Sequence, residues 1–268
     1  TSFEFEAHPV GPIVMCGAPF YPMEAADEVF PRWRDWTRGL PDEVTSRALF
    51  WSLPEDDHLP PEVWERDVLI LGALYAGPPD EGEEVIQPIR EFGRPLADVS
   101  GRMPYRMFQS MLDPLFPKGE LSSYWKSTYL GELTDGALEY IRRRARNRPN
   151  GDTLVHVPMM GGAVTRTGPE ETAFGDRSAR YMLSVDGNWT DPTEEDTVIE
   201  WVREAVRGAE ELETGGGTYL NFSGDDAEES AEAVQAAYGE NLARLRELKA
   251  AYDPDNLFRL NNNIEPAP

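Results

Sequence analysis

Phe3 and Phe5 alternate with Glu4 and Glu6 over residues 2–7, the period of a strand with one covered face. Pro9, Gly11 and Pro12 break that run, and a more continuous apolar stretch over 13–21 predicts a second strand. Pro22 then opens a helix over 23–40, where Val29, Phe30, Trp33, Trp36 and Leu40 recur at helical spacing with charges between them. Residues 43–53 and 66–76 read as strands, the second too apolar to face water. Pro78 and Pro79 close the unit, and a helix is predicted over 80–92. The order β-β-α-β-β-α predicts an antiparallel sheet with helices gathered on one face, an α+β arrangement.

Further along, 103–112 predicts a short helix or turn, and 122–133 reads as strand-like at its centre. Thr134 and Asp135 cap a helix to about Arg146, with Leu138, Ile141 and Ala145 on one face. Its basic end, 142–146, suits a helix C-terminus, with anion binding as the alternative. Residues 153–159 and 181–185 are further strands, and 193–212 is a helix with early acidic residues. A turn at 215–217, a strand over 218–222 and a helix over 227–252 follow, with Gly239 marking a break in the last and Pro254 its end.

The composition supports a packed core. Apolar residues make up 40% of the 268, although the net charge is −24, from 49 Asp and Glu against 25 Lys and Arg. Only Lys118, Lys126 and Lys249 are lysine. Many carboxylates with little lysine is the pattern of a protein working in concentrated salt, where the Debye length shrinks to about 3 Å and self-repulsion is muted. An acidic bacterial protein of ordinary habitat is the alternative. The charge argues against nucleic acid and against anionic membranes as partners. No apolar run approaches transmembrane length and the first residues lack a signal-peptide pattern, so a soluble, cytoplasmic chain is expected. One cysteine, Cys16, in an apolar run, excludes an intrachain disulfide.

Several chemistries are excluded. His8, His58 and His156 have no metal-ligand spacing with Cys or Glu. There is no Gly-x-Ser-x-Gly elbow and no phosphate-binding Gly-x-x-x-x-Gly-Lys, and Gly215–Gly217 lacks a dinucleotide-binding context.

One resemblance carries further. Thr218-Tyr-Leu-Asn-Phe, then Ala237-Tyr-Gly-Glu-Asn, Tyr252-Asp-Pro and Asn256-Leu-Phe-Arg-Leu-Asn-Asn-Asn-Ile resemble, in order and spacing, the C-terminal segment of the berberine-bridge-enzyme-like FAD-linked oxidases, within the vanillyl alcohol oxidase superfamily. Gly161-Gly162 with Ala173-Phe-Gly-Asp-Arg resembles the family's Gly-Gly … Phe-Pro-His-Arg segment, with Gly175 and Asp176 departing from it. Asn262 stands where the family usually has glutamine. The likeness implies that residues 1–8 are the last strand of an FAD-binding domain otherwise absent from these residues. By the same likeness, 9–252 form the substrate-binding α+β domain, and 253–268 are a tail returning to the flavin domain. The resemblance also implies oxidation of an alcohol or sugar-like substrate by hydride transfer to FAD. The FAD would be held mainly by a flavin domain of the same or a companion polypeptide, so these residues alone would be inactive.

Within that resemblance Tyr219 matches an active-site tyrosine, the base or its helper, with a half-buried strand tyrosine as the plainer reading. Lys126 is a candidate cation to lower its pKa. Met182 and Ser184 would lie on the substrate face, Ser184 where relatives carry Glu or Gln. Asn221 would fix a polar substrate group or a backbone turn. Asn261 and Asn263 match a tail motif beside the flavin, or satisfy backbone groups of the tail. A binding domain that kept the fold without flavin, and an acidic interaction protein, are the competing readings.

Overall fold

The computed structural model describes residues 2–212, 217–222, 230–260 and 262–268. Its elements in chain order are β1 (Ile13–Gly17), β2 (Pro19–Pro22), α1 (Ala26–Thr37), β3 (Val44–Leu53), β4 (Arg66–Tyr75), α2 (Pro79–Arg90), β5 (Ala97–Asp98), β6 (Gly101–Pro104), α3 (Tyr105–Ser110), β7 (Ser122–Leu130), α4 (Asp135–Arg146), β8 (Leu154–Pro158), α5 (Ala163–Arg166), β9 (Tyr181–Trp189), α6 (Glu195–Glu210), α7 (Ser230–Tyr238) and α8 (Asn241–Tyr252). The described strands form one nine-stranded sheet in the order β5-β2-β4-β3-β8-β9-β7. Strands β1 and β2 share one edge of β4, Met15 opposite Tyr75 and Phe20 opposite Ile70, and β6 flanks β1. Every pairing is antiparallel. The expected large antiparallel sheet with helices on one face is the fold observed.

Strand alternation explains why the two faces differ. On β9, Tyr181, Leu183, Val185 and Trp189 enter the main core, which α1, α2, α4 and α6 cover. Trp33 of α1 is fully buried there, and its indole donates to Ser46 Oγ at 2.9 Å, so the ring's polar edge is satisfied. Phe30 meets Phe50 edge to face at 5.1 Å. Helix α6 lays Val198, Val202, Ala205, Val206 and Ala209 on the same core. Gly187 lets it approach, since a Cβ there would stand 2.6 Å from Val198 Cγ1 and 2.7 Å from Val202 Cγ2.

The other face carries smaller apolar clusters. One joins Val14, Cys16 and Leu74 with Tyr105 and Phe108. A second gathers Phe20, Trp51 and Leu53 with Phe116. Burial pushes the Cys16 thiol up to about 11.

Three expectations change. Residues 2–7 form no strand, and Phe3 and Phe5 stand 83% and 82% exposed. A strand needs a neighbour for its ladder, and no described segment offers one. The apolar run 13–21 breaks at Ala18 into β1 and β2, each with its own partner on the outer side. Residues 218–222 are not a strand: Leu220–Phe222 turn as a 3-10 helix, with Phe222 N–H donating to Tyr219 O at 2.8 Å. Of the expected turn at 215–217 only Gly217 is described. The expected helix start at 227–229 and Asn261 also lie outside the described residues.

Candidate functional site

The helix-free face of β3, β8, β9 and β7 builds the candidate site. Register aligns Leu49, His156, Ser184 and Ser127 in one cross-strand row. The next row runs through Leu154, Asp186 and Trp125. His156, 4% exposed, and Asp186, 5% exposed, are therefore side by side in the middle of a sheet. His156 Nε2 stands 3.2 Å from Asp186 Oδ2. Ser184 Oγ donates to Asp186 Oδ1 at 2.5 Å. Asn188 completes the polar file, accepting from Ser123 Oγ at 2.7 Å and Trp125 Nε1 at 3.2 Å. The His156 ring nitrogens are shut from solvent, yet neither makes an aligned hydrogen bond among the described residues. Buried polar groups are normally satisfied, so an unsatisfied imidazole beside a carboxylate marks a place prepared for another group.

An aromatic wall rises beside this floor. Phe222 lies over His156 at 6.2 Å between ring centres and stacks on Tyr219 at 5.7 Å. Tyr219 meets Phe174 at 5.7 Å, and Phe174 meets Tyr129 at 6.3 Å. The 3-10 turn makes this possible: residues three apart eclipse in such a helix, so Tyr219 and Phe222 share a side. A strand would have put them on opposite faces. Asn221 Nδ2 donates to Tyr219 Oη at 2.9 Å and fixes the phenol's direction. Burial, and behind it the nearby Tyr219, holds the Tyr129 phenol well above its ordinary value.

The wall is held from outside by α7 and α8. Gly175 abuts the Ala237 carbonyl so closely that any side chain would collide with it, which accounts for glycine at this departure from the family segment. Asn241 Nδ2 reaches Pro169 O at 2.8 Å, tying α8 to the loop before Phe174.

Not every expected site residue is here. Ser184 and Met182 lie on the open face, and Met182 packs with Tyr129, Phe174 and Tyr219. Lys126 does not: it is registered opposite Val185, on the helix-covered face, and cannot serve Tyr219. The cation at the wall is Arg177, 4.9 Å over the Phe174 ring. Asn263 is half-buried in the tail with a buried Oδ1 lacking a partner. His156 and Asp186 were missed in the sequence. Asp186 could have been found by extending the 181–185 strand two residues along the face that holds Ser184, and His156 by applying the same alternation to β8. Among the described residues no cluster could hold a metal, and no helix is long and apolar enough to cross a membrane.

Residues 218–265 match the family model for berberine and berberine-like proteins. The aromatic wall begins where that match begins. The chain carries a berberine-like family segment and is similar along its length to FAD-linked oxidoreductases. It is 28% identical over 269 residues to the FAD-linked oxidoreductase YgaK of Bacillus subtilis, covering 99% of this chain and 55% of that protein. It is 30% identical over 216 residues to a carbohydrate oxidase of Microdochium nivale, covering 73% of this chain and 43% of that one. The solved structure of BBE-like 28 from Arabidopsis thaliana superposes with a TM-score of 0.77 at 18% identity, over 97% of this chain and 58% of the other, a likeness of fold. The chain thus spans about half the length of the relatives it matches.

Proposed function

We propose that this chain is the substrate-binding part of an FAD-dependent oxidoreductase that oxidises an alcohol or sugar-like substrate. The observation that carries the reading is the buried His156–Asp186–Ser184 cluster under the Tyr219–Phe222 wall. A flat polar floor with an unsatisfied imidazole, an aromatic edge and the unpartnered Asn263 Oδ1 fit a flavin ring and a hydroxylated substrate between them. A bound FAD would supply the two-electron acceptor for the hydride lost from the carbinol carbon.

The chain's own part is binding and proton removal. The substrate hydroxyl proton goes to the His156–Asp186 pair; Ser184 holds the carboxylate in place, as a third group orients a base in other hydrolytic and redox sites. Tyr219, directed by Asn221, orients the hydroxyl and acts as the helper rather than the base, because Lys126 is on the wrong face to ionise it. Residues 1–8 and 253–268 are proposed as the chain's contacts with the flavin domain, with Asn261 and Asn263 near the ring. The carbohydrate oxidase relative favours a sugar as substrate.

The test is direct. The full-length gene product should purify with a flavin spectrum, and sugars offered anaerobically should bleach it. A product without flavin, or a flavin that no alcohol or sugar reduces, would leave the chain as a binding domain that retained the fold.

A further inference from the structure

His156 is 4% exposed, and its two ring nitrogens are covered too completely for water to reach either. Neither has a hydrogen-bond partner among the described residues. The floor is therefore closed as well as unsatisfied. The aromatic ring above it belongs to Phe222, which lies 6.2 Å from the imidazole, 6.1 Å from Trp125 and 5.7 Å from Tyr219, centre to centre. Trp125 is registered opposite Asp186, so this ring stands over the His156–Asp186 pair and takes the space through which a substrate hydroxyl would approach. Phe222 is itself only partly buried, packed against the edge of the Tyr129, Ala179 and Met182 cluster. It ends a three-residue turn closed by its own N–H donating to Tyr219 O at 2.8 Å.

Two opposed costs meet at this ring. Closed, it leaves a buried imidazole without partners, which is unfavourable. Open, it gives up contacts with its neighbouring rings and exposes apolar surface. Costs that oppose at a single side chain are the condition for two populated states.

We propose that Phe222 is a movable plug, which closes the His156–Asp186 floor when no ligand is bound and swings out to admit one. A hydroxylated ligand then replaces the ring over the imidazole and gives its nitrogen the hydrogen-bond partner that the closed state denies it. The plug goes beyond the oxidoreductase reading, because it governs entry to the floor whether or not the ligand is oxidised there.

The test is the reactivity of His156 toward diethyl pyrocarbonate, which acylates neutral imidazoles, followed peptide by peptide by mass spectrometry on the full-length protein. His58, whose side chain is 73% exposed, is the internal reference. An open state populated at about 0.1–10% predicts that His156 in the wild type is modified about 10–1,000-fold more slowly than His58. Phe222→Ala should bring the two rates within a few-fold of each other. Phe174 belongs to the same wall but contacts Tyr219 and Tyr129. Phe174→Ala therefore controls for a general loosening of the wall and should keep the wild-type protection, with melting temperatures recorded for all three proteins. The measurement needs no turnover, so it stands even if no sugar reduces the flavin and the oxidation reading fails. A wild-type His156 that reacts as fast as His58, or that never reacts while the protein is folded, overturns the plug. Protection that survives Phe222→Ala, or that Phe174→Ala removes equally, overturns it too.

Discussion

Asp186 spends one oxygen on the Ser184 hydroxyl at 2.5 Å and turns the other toward His156. Ser184 cannot itself serve as a base. Two residues along the same strand face, a carboxylate stands in its stead, with Ser184 as the positioning group. The phenol of Tyr219 is separable from its ring: the ring stacks on Phe222 and the hydroxyl accepts from Asn221. Tyr219→Phe should therefore keep the wall and lose the hydroxyl's orientation. We expect flavin reduction about 10–100-fold slower, a loss within the range of misplaced acid–base chemistry, with an unchanged melting temperature. Stopped-flow absorbance beside calorimetry checks both.

Elements set where these side chains can go. Strand β9 presents two incompatible faces, one for α6 and one for the site, and Gly187 is the point at which α6 sits closest. Gly187→Ala should overpack Val198 and Val202 and cost about 1–3 kcal/mol, read by denaturant unfolding, with β9 register and the open face kept. At the other end of the chain, Asp253 gathers Lys249 Nζ at 2.5 Å and the Leu257 and Phe258 amides at 2.8 and 3.1 Å, and so turns α8 into the tail. The Lys249 ammonium bonded to it, with help from those amides, holds its carboxyl below the ordinary value. A depressed folded pKa means stability that is complete above the unfolded carboxylate value near 3.8 and lost as pH falls through the folded one. The melting-temperature gap between wild type and Asp253→Ala should be constant from pH 5 to 7 and should close as pH falls below the ordinary carboxylate value through the depressed folded one. A gap independent of pH would assign the tail's order to something else. The same elements say what was legible beforehand. Period-2 and period-3.6 patterns located the longer strands and helices, because each buries one face, and passed over the short β5, β6 and α5. The turn at Leu220–Phe222 was not legible, since Tyr219, Leu220 and Phe222 alternate around Asn221 in a way that suits a strand and a tight turn alike. Lys126 was misplaced for a different reason: alternation says which residues share a face, and only the pairing with β9 says which face that is.

At the scale of the whole molecule, the sheet is covered by helices on one side and by loops and short helices on parts of the other. The buried polar file lies under the aromatic wall, and the exposed Phe3, Phe5, Leu257, Phe258 and Leu260 remain. Contiguous exposed apolar residues mark surfaces that another body covers, and in the account proposed here that body is the flavin domain. The family segment at 218–265 supplies Tyr219 and Phe222 of the aromatic wall as well as most of the tail. In the proposed function the His156–Asp186 floor faces the flavin and removes the substrate proton. Its most direct measurement is the anaerobic rate of flavin reduction in the full-length protein, wild type against Asp186→Asn, with flavin content and melting temperature held equal. The amide variant should bind sugar and flavin but be reduced about 100–10,000-fold more slowly. Reduction at the wild-type rate would contradict it.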